Sequence, residues 1–221
     1  MERALIIGAS GGIGRALGAG LRAQGVDVTG LSRSGDGLDV TDEGAVARVL
    51  DPLPGPFELI LVATGALEIN GAAPERALRQ ITARAMRDQF ALNCLGPALI
   101  LRHAPRLLPR DRRGVFAALS ARVGSIGDNR LGGWYGYRAA KAALNQVLHT
   151  GAIELARTHP RAICVALHPG TVATSLTAKY RGRHPAVAPE EAAANLLSVI
   201  DGLTAAETGL FLDWQGRHLP W

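Results

Sequence analysis

The chain has 221 residues, 48% of them hydrophobic, and a formal net charge of +5 at pH 7. This length and apolar content predict one domain over residues 1–221 with a single sizeable core, and they exclude a disordered chain. No apolar run approaches the ~20 residues that a bilayer-spanning helix needs, and no signal-peptide pattern precedes the first apolar run. We therefore expect a cytoplasmic protein that starts at Met1 and has no membrane partner.

The charged and metal-binding residue types argue against two further classes of protein. Almost all basic residues are arginines interleaved with acids, and the arginine clusters have no platform of aromatic residues on which bases could stack. A solvated arginine-rich surface is therefore favoured over a nucleic-acid interface. Cys94 and Cys164 have neither disulfide nor zinc-site spacing, and no two histidines have HxxxH spacing, so we expect no metal site.

Short apolar runs alternate with longer helical patterns along the chain. The runs predicted as strands are Ala4 to Ile7, Val26 to Leu31, Phe57 to Ala63, Gly114 to Leu119, Ala162 to Leu167 and Gly209 to Leu212. Strands of this kind, separated by crossover helices, are typical of an α/β fold with a doubly wound parallel sheet of the Rossmann type. Too few residues separate Leu31 from Leu38-Asp39-Val40 for a crossover, so we expect a rudimentary third strand or a missing helix before it.

Glycines cluster directly after the first predicted strand, in the run Gly8-Ala9-Ser10-Gly11-Gly12-Ile13-Gly14. Glycines at such a junction allow a tight turn that brings free N–H groups and the start of a helix close to a pyrophosphate. A glycine-rich turn alone is a weak signal, because many are only tight turns, but the position after strand one strengthens it. The residues expected to bind a dinucleotide here are Gly8, Ser10, Gly12, Ile13 and Gly14.

The end of the second predicted strand favours NADP over NAD. The run Leu31-Ser32-Arg33-Ser34 contains no acid that would accept a hydrogen bond from a ribose 2′-hydroxyl. Arg33 can instead pair with a 2′-phosphate, with Ser32 and Ser34 as hydroxyl donors. The alternative is that Arg33 is one more solvated arginine. The pair Asp39-Val40 is expected to meet the amino group of the adenine.

Tyr137 and Lys141 are separated by one helical turn. Side chains at i and i+4 lie on the same face of a helix, so the ammonium of Lys141 could lower the pKa of the Tyr137 phenol. A phenol tuned in this way can donate or accept a proton near neutral pH. The spacing therefore indicates redox chemistry at a carbonyl or alcohol.

Taken together, these motifs resemble the short-chain dehydrogenases/reductases over the chain from Gly8 to the C-terminus. The features that carry the resemblance are the Gly-x3-Gly-x-Gly turn, Asp39-Val40, Asn93, Tyr137-x3-Lys141 and the run from Pro169 to Thr174. The segments Gly124 to Asn129 and Gly132 to Arg138 are most similar to the small carbonyl-reductase branch that includes the sniffer and C-factor proteins.

The resemblance implies roles for individual residues. Tyr137 would protonate the substrate carbonyl, Lys141 would lower the pKa of Tyr137 and bond the nicotinamide ribose, and Asn93 would hold a water through its main chain. Pro97 supplies a local reason for a kink there, because its ring displaces the carbonyl of residue 93. The remaining cofactor contacts that the resemblance implies are Ala63, Thr64, Gly65, Pro169, Gly170, Val172 and Thr174.

The substrate-orienting serine departs from the family pattern. The family carries a serine doublet after the fifth strand of its sheet, whereas this chain has Ser120 followed by Ala121. Ser120 is slightly favoured for the role, and Ser125 is the alternative. A second departure is that Val62-Ala63-Thr64-Gly65 replaces the family's Asn-Asn-Ala-Gly, and the segment from Ser175 to Ala188 is expected to form a short basic substrate lid.

The leading hypothesis is an NADP-dependent reductase of a small aldehyde or ketone. A nucleotide-binding signalling or regulatory protein with little turnover is the alternative, and a nucleic-acid binder is the least favoured. A homodimer or homotetramer is compatible with the apolar face of the helix that carries Tyr137. That face, which comprises Ala143, Leu144, Val147, Leu148 and Gly151, would equally serve a core within the chain.

Overall fold

The structure, a computed structural model, describes residues 1–180 and 185–221. The strands are β1 (Arg3–Ile7), β2 (Asp27–Leu31), β3 (Leu59–Val62), β4 (Gly114–Leu119), β5 (Ala162–His168) and β6 (Phe211–Asp213). The α-helices are α1 (Gly12–Ala23), α2 (Arg33–Asp36), α3 (Glu43–Leu50), α4 (Ala83–Phe90), α5 (Gly96–Leu101), α6 (Ala104–Leu107), α7 (Tyr135–Leu155) and α8 (Pro189–Gly202). A π-helical turn at Ala91–Leu95 joins α4 to α5.

All six strands form one parallel sheet in the order β2-β1-β3-β4-β5-β6. The predicted α/β fold and all six predicted strand runs are therefore confirmed. A rudimentary strand at residues 38–40, or a missing helix before it, was expected. Residues 38–40 form no strand at all, and only the one-turn helix α2 precedes them. Leu38 and Val40 are nevertheless buried and contribute to the core.

Two apolar layers cover the sheet because the strand side chains alternate between its faces. Leu5 and Ile7 of β1 pack on the side of α3, α5, α6 and α7, whereas Ala4 and Ile6 pack on the side of α1 and α8. This alternation of two buried faces explains why the strands appear in the sequence as continuous apolar runs. None of the helices formed by the described residues is both long and apolar enough to cross a bilayer.

Gly25 ends the first crossover helix. It has a positive φ of 81°, and its N–H donates to the carbonyl of Arg22 at 2.9 Å. This is the common way for a glycine to close a helix, since an L side chain is strained in this conformation. The chain then enters β2 alongside β1, which places the ends of both strands next to the glycine-rich turn.

Candidate active site

The glycine-rich turn lies where the order of the sheet reverses, at the carboxyl ends of β1 and β3. In open parallel sheets this crevice is the usual ligand site. Gly8 has a φ of 89°, and a Cβ atom added to it would lie 3.0 Å from the carbonyl carbon of Ala63. The two predicted cofactor segments, the glycine turn and residues 63–65, are therefore in direct contact.

Two further glycines of the turn have no room for a side chain. A Cβ atom on Gly14 would lie 2.2 Å from the carbonyl oxygen of Gly8, and one on Gly12 would lie 2.9 Å from Cγ2 of Thr174. The contact with Thr174 brings the segment after β5 to the start of α1. The glycine turn, residues 63–65 and Thr174 therefore form one continuous wall of the crevice.

Polar groups on this wall fit a dinucleotide. No side chain among the described residues caps the start of α1, so its first N–H groups are available to a phosphate. The hydroxyl of Thr64 is buried without a hydrogen-bond partner in the part of the chain that the structure describes. An unpaired buried hydroxyl is costly, and a ligand that bonds it would remove that cost. Ser10 and Ile13, the other residues predicted here, lie in the turn and at the start of α1.

The one-turn helix that follows β2 ends in an acid, Asp36, that the sequence analysis missed. The one-turn helix α2 brings Asp36 back to Ser32, whose backbone N–H donates to Oδ2 of Asp36 at 2.7 Å. Ser32 Oγ accepts from the N–H of Gly35 at 3.0 Å, so this serine is the N-cap of α2. Arg33 and Ser34 are exposed, so the guanidinium of Arg33 is accessible to a phosphate. The proximity of Asp36 to Ser32 is a result of the one-turn helix and could be seen only in the structure.

The pair Asp39-Val40 is held rigidly beside this end of the sheet. Oδ1 of Asp39 accepts from the N–H and the hydroxyl of Thr41 at 2.9 and 2.7 Å. These bonds lower the pKa of Asp39, and the nearby guanidinium of Arg33 lowers it further. Val40 is buried against Gly96, on which a Cβ atom would lie 2.8 Å from Cγ2 of the valine.

Tyr137 and Lys141 lie on the buried face of α7, with 9% and 2% of their surfaces exposed. Nζ of Lys141 donates to the carbonyl oxygen of Leu119, the last residue of β4, at 2.8 Å. The same Nζ lies 5.8 Å from the centre of the Tyr137 ring. Gly124 allows this close packing, because a Cβ atom on it would lie 2.7 Å from Cβ of Lys141. The cation and the phenol are therefore fixed together at the end of β4.

Burial shifts the pKa values of both groups in this pair. Burial lowers the pKa of Lys141 to about 8, whereas burial raises the pKa of Tyr137 above its usual value. Burial is the cause of the shift at Tyr137, because removal from water disfavours the charged phenolate. Lowering of the phenol pKa by the ammonium of Lys141 stays a prediction. A phenol with a raised pKa keeps its proton at neutral pH and can act as a donor.

Asn93 is completely buried in the π-helical turn, close to Lys141. Its Oδ1 accepts from the N–H of Ala66 at 3.2 Å, and its Nδ2 donates to Oε1 of Gln89 at 2.7 Å. A Cβ atom on Gly65 would lie 2.9 Å from Asn93 Oδ1 and 3.6 Å from Lys141 Nζ. The structure therefore brings Gly65, Asn93 and Lys141 together, and the predicted irregularity before Pro97 is the π-helical turn.

The two candidate serines are both buried and both hydrogen-bonded within the chain. Ser120 Oγ donates to Oδ1 of Asn145 at 2.6 Å, one helical turn beyond Lys141 on α7. Ser125 Oγ accepts from the N–H of Asp128 and donates to the backbone oxygen of Trp221. The proton of Ser120 is therefore used by Asn145, and its oxygen retains acceptor capacity. Its role toward a substrate stays a prediction.

The segment after β5 turns at Pro169-Gly170 toward the crevice. Gly170 has a φ of 77°, and a Cβ atom on it would lie 3.0 Å from the Trp214 indole. Val172 is buried and bridges to Val187.

Two residues of the predicted lid are bonded to Glu68, which lies after β3. Its carboxylate accepts hydrogen bonds from Lys179 Nζ at 2.8 Å and from the hydroxyl of Tyr180. The lid residues Arg181, Arg183 and His184 lie outside the described residues.

The sequence analysis missed several polar residues of the site. They are Asp36, Glu68, Glu75, Gln89 and Asn145. The i, i+4 spacing of Gln89 to Asn93 and of Lys141 to Asn145 is a signal that could have found two of them. Residues 1–180 and 185–221 contain no group of three or more side chains suited to holding a metal ion.

Comparison with known proteins agrees with this geometry. The profile of a family described as enoyl-(acyl carrier protein) reductase matches residues 37–213. The 1-hydroxy-2-glutathionyl-2-methyl-3-butene dehydrogenase of Rhodococcus sp. (strain AD45) is 31% identical over 233 aligned positions, with both chains covered completely. The C-signal protein of Myxococcus xanthus is 35% identical over 149 positions, which cover 66% of this chain and 84% of that protein.

Solved structures show the same fold. A short-chain dehydrogenase/reductase from Burkholderia multivorans with bound NADP superposes with a TM-score of 0.84 and 27% identity, covering 100% of this chain and 99% of the other. The carbonyl reductase Sniffer of D. melanogaster has a TM-score of 0.82 at 18% identity, with both chains fully covered. The chain belongs to the short-chain dehydrogenase/reductase family. It is an enzyme, an oxidoreductase that acts on a small molecule with a nicotinamide cofactor.

Proposed function

We propose that the enzyme reduces an aldehyde or ketone with NADPH and that Tyr137 is the general acid. The observation that carries this proposal is the buried cluster in which Lys141 Nζ bonds Leu119 O at 2.8 Å, beside the Tyr137 ring and Asn93. A buried cation and a protonated phenol on the same helix face, at the carboxyl end of the sheet, suit protonation of a carbonyl oxygen as it gains negative charge.

The described residues divide the work of this reaction. Bound NADPH would supply the hydride. The glycine turn and Thr64 would hold the dinucleotide, and Tyr137 would donate its proton to the substrate oxygen. Lys141 would stabilise the phenolate that remains, since its ammonium is fixed nearby by Leu119. Asn93 would keep the segment of Gly65 in place through its hydrogen bonds to Ala66 and Gln89.

The preference for NADP over NAD rests on Arg33. Its guanidinium is exposed at the end of β2 and close enough to Asp39 to lower the pKa of that carboxyl. A 2′-phosphate at this position would form a charge-assisted bond with Arg33. The relative from Burkholderia multivorans contains NADP, which supports the same choice. Asp36 argues against NADP, because its carboxylate is bonded to the backbone N–H of Ser32 and would repel a phosphate there.

A second candidate function is a nucleotide-binding regulator that turns over little. The observation that favours it is the missing hydroxyl at Ala121, together with the use of the Ser120 proton by Asn145. The likeness to the C-signal protein of Myxococcus xanthus adds to this alternative. Without a serine donor, a substrate would be oriented less well, although Tyr137 would still be present as the acid.

The test is NADPH oxidation with a panel of small aldehydes and diketones, measured for the wild type and for Tyr137→Phe. Removal of the general acid is expected to lower kcat by roughly 10²–10⁴-fold. Phenylalanine fills the same buried space, so the affinity for NADPH should stay within about twofold of the wild-type value. Near-zero rates that are equal in the wild type and Tyr137→Phe, with intact NADPH binding, would overturn the proposed reductase activity. They would favour the nucleotide-binding regulator.

A further inference from the structure

The buried carboxylate of Glu75 is bonded to the start of the helix that carries Tyr137. Glu75 lies in the long loop between β3 and α4 and is only 4% exposed. Its Oε2 accepts from the N–H of Gly136 at 3.1 Å, although the two residues are 61 positions apart in the chain. Its backbone carbonyl oxygen accepts from the N–H of Trp134. One loop residue thus makes two hydrogen bonds to the first turn of α7.

The start of α7 needs such a partner. No side chain of its own first turn caps the helix within the described residues, and the N-cap residue Trp134 has a left-handed backbone, with φ 53° and ψ 43°. This conformation is strained for a bulky residue and persists only when its surroundings fix it. A carboxylate at the positive end of a helix also stabilises that end. Glu75 supplies the hydrogen-bond acceptors that fix this turn, and its position at the positive end of the helix adds to their effect.

Gly136 provides the space for this contact. A Cβ atom on Gly136 would lie 3.0 Å from Oε1 of Glu75 and 3.2 Å from Cγ of Gln89. Gln89 in turn donates to the carbonyl of Leu67 and accepts from Asn93. Glu75 and Gln89 therefore both pack against Gly136, and Gln89 is hydrogen-bonded to Asn93.

Two groups of the site depend on where α7 begins. Tyr137 follows Gly136 directly. The Trp134 indole packs edge-on against the Tyr137 ring at 6.3 Å and against the Tyr180 ring at 5.5 Å. The left-handed turn at Trp134 thus places its indole between the proposed acid and the lid residue Tyr180. A shift of the first turn of α7 would move the phenol and the aromatic wall beside it together.

We propose that Glu75 is a positioning residue that fixes the phenol of Tyr137 and the indole of Trp134 by holding the first turn of α7. This inference rests on the proposed role of Tyr137. It assigns Glu75 no contact with substrate or cofactor. The hydrogen-bond acceptor and its reach, not the negative charge alone, are what hold the helix.

Three variants separate reach from charge. Glu75→Gln keeps an acceptor oxygen at the same distance, Glu75→Asp keeps the charge but shortens the side chain, and Glu75→Ala removes both. Loss of alignment at a reacting group costs up to about 100-fold, so we expect kcat to fall at least about tenfold in Glu75→Asp and Glu75→Ala. Glu75→Gln should stay within about threefold of wild type, and the KM for NADPH should change less than about twofold in all three.

Amide hydrogen exchange tests the same inference without turnover. Exchange at residues 134–138 should accelerate in Glu75→Asp and Glu75→Ala but not in Glu75→Gln, while β1 and β4 keep wild-type protection. Glu154→Ala, an exposed change near the other end of α7, is the matched control and should leave both kcat and exchange unchanged. If Glu75→Ala does not fold, the aspartate and glutamine variants still provide the comparison.

The results distinguish failure of this inference from failure of the proposed function. Wild-type kcat and wild-type exchange in Glu75→Asp would overturn the positioning role, as would an equal loss in Glu75→Gln and Glu75→Asp. If the wild type shows no turnover at all, the proposed function fails. The exchange at residues 134–138 then still decides whether Glu75 holds the start of α7.

Discussion

Burial sets the charge state of Lys141 by changing the pKa of its side chain. Its ammonium is bonded to Leu119 O and surrounded by protein, and this burial lowers its pKa to about 8. The lysine therefore remains mostly protonated at neutral pH but loses its charge in mildly alkaline solution. The phenol of Tyr137 responds in the opposite direction, because burial disfavours its charged form.

The pH dependence of reduction should follow the titration of Lys141. A folded-state pKa of about 8 means that the cation, which would stabilise the forming phenolate, disappears as the pH rises through that value. We therefore expect kcat/KM for carbonyl reduction to fall above about pH 8, since this ratio reports groups of the free enzyme. Initial rates across the pH range test this expectation. A ratio that rises steadily through pH 8 would contradict it.

Arg33 should decide between the two nicotinamide cofactors. A charge-assisted hydrogen bond contributes about 1.5–3 kcal/mol, so Arg33→Ala should raise the KM for NADPH by roughly 10- to 100-fold and leave that for NADH nearly unchanged. Arg48→Ala, on the exposed side of α3, is the control. Steady-state kinetics with both cofactors provide the measurement. An unchanged KM for NADPH in Arg33→Ala would show that Arg33 is only a solvated arginine, and an equal rise for both cofactors would show that it does not bind the 2′-phosphate.

Among the structural elements, the sheet and the glycine turn were predictable and the polar loop contacts were not. The runs of buried apolar residues identified all six strands, because strands covered on both faces need them. The kink predicted from Pro97 is the π-helical turn, because proline has no N–H to donate to the carbonyl of Asn93. By contrast, Glu75 meets Gly136 only through a 61-residue separation that no local pattern encodes.

The glycine turn offers a test at the same scale. A methyl group on Gly14 would lie 2.2 Å from the carbonyl oxygen of Gly8, so Gly14→Ala must open the turn. We expect a loss of stability of about 1–3 kcal/mol and strongly reduced NADPH binding. Urea unfolding and fluorescence titration measure the two effects.

Gly202→Ala is the matched control for the glycine turn. Among the described residues, no atom apart from its chain neighbours and its own helix backbone lies within 4 Å of a Cβ atom placed on Gly202, so the variant should bind NADPH normally. Its stability should be unchanged or raised by up to about 1 kcal/mol, because alanine reduces the conformational freedom of the unfolded chain. Normal nucleotide binding by Gly14→Ala would contradict the role of this turn.

For the whole molecule, one parallel sheet brings residues from many parts of the chain to a single edge. The predicted cofactor residues after β1, β3 and β5 are in contact there, as the fold class implied. The predicted homodimer or homotetramer stays a prediction. Of the helix face considered for it, Leu144 and Leu148 are buried within the chain, and Gly151 packs on Leu101. The cytoplasmic location also stays a prediction.

The most direct test of the proposed chemistry is a crystal structure of the enzyme with NADPH and a substrate analogue. We predict that the nicotinamide ring lies at the carboxyl ends of β3 and β4, with the Tyr137 hydroxyl within about 3 Å of the carbonyl oxygen of the analogue. Nζ of Lys141 should lie beside that hydroxyl and the nicotinamide ribose. A Tyr137 hydroxyl that points away from the ring would contradict the account.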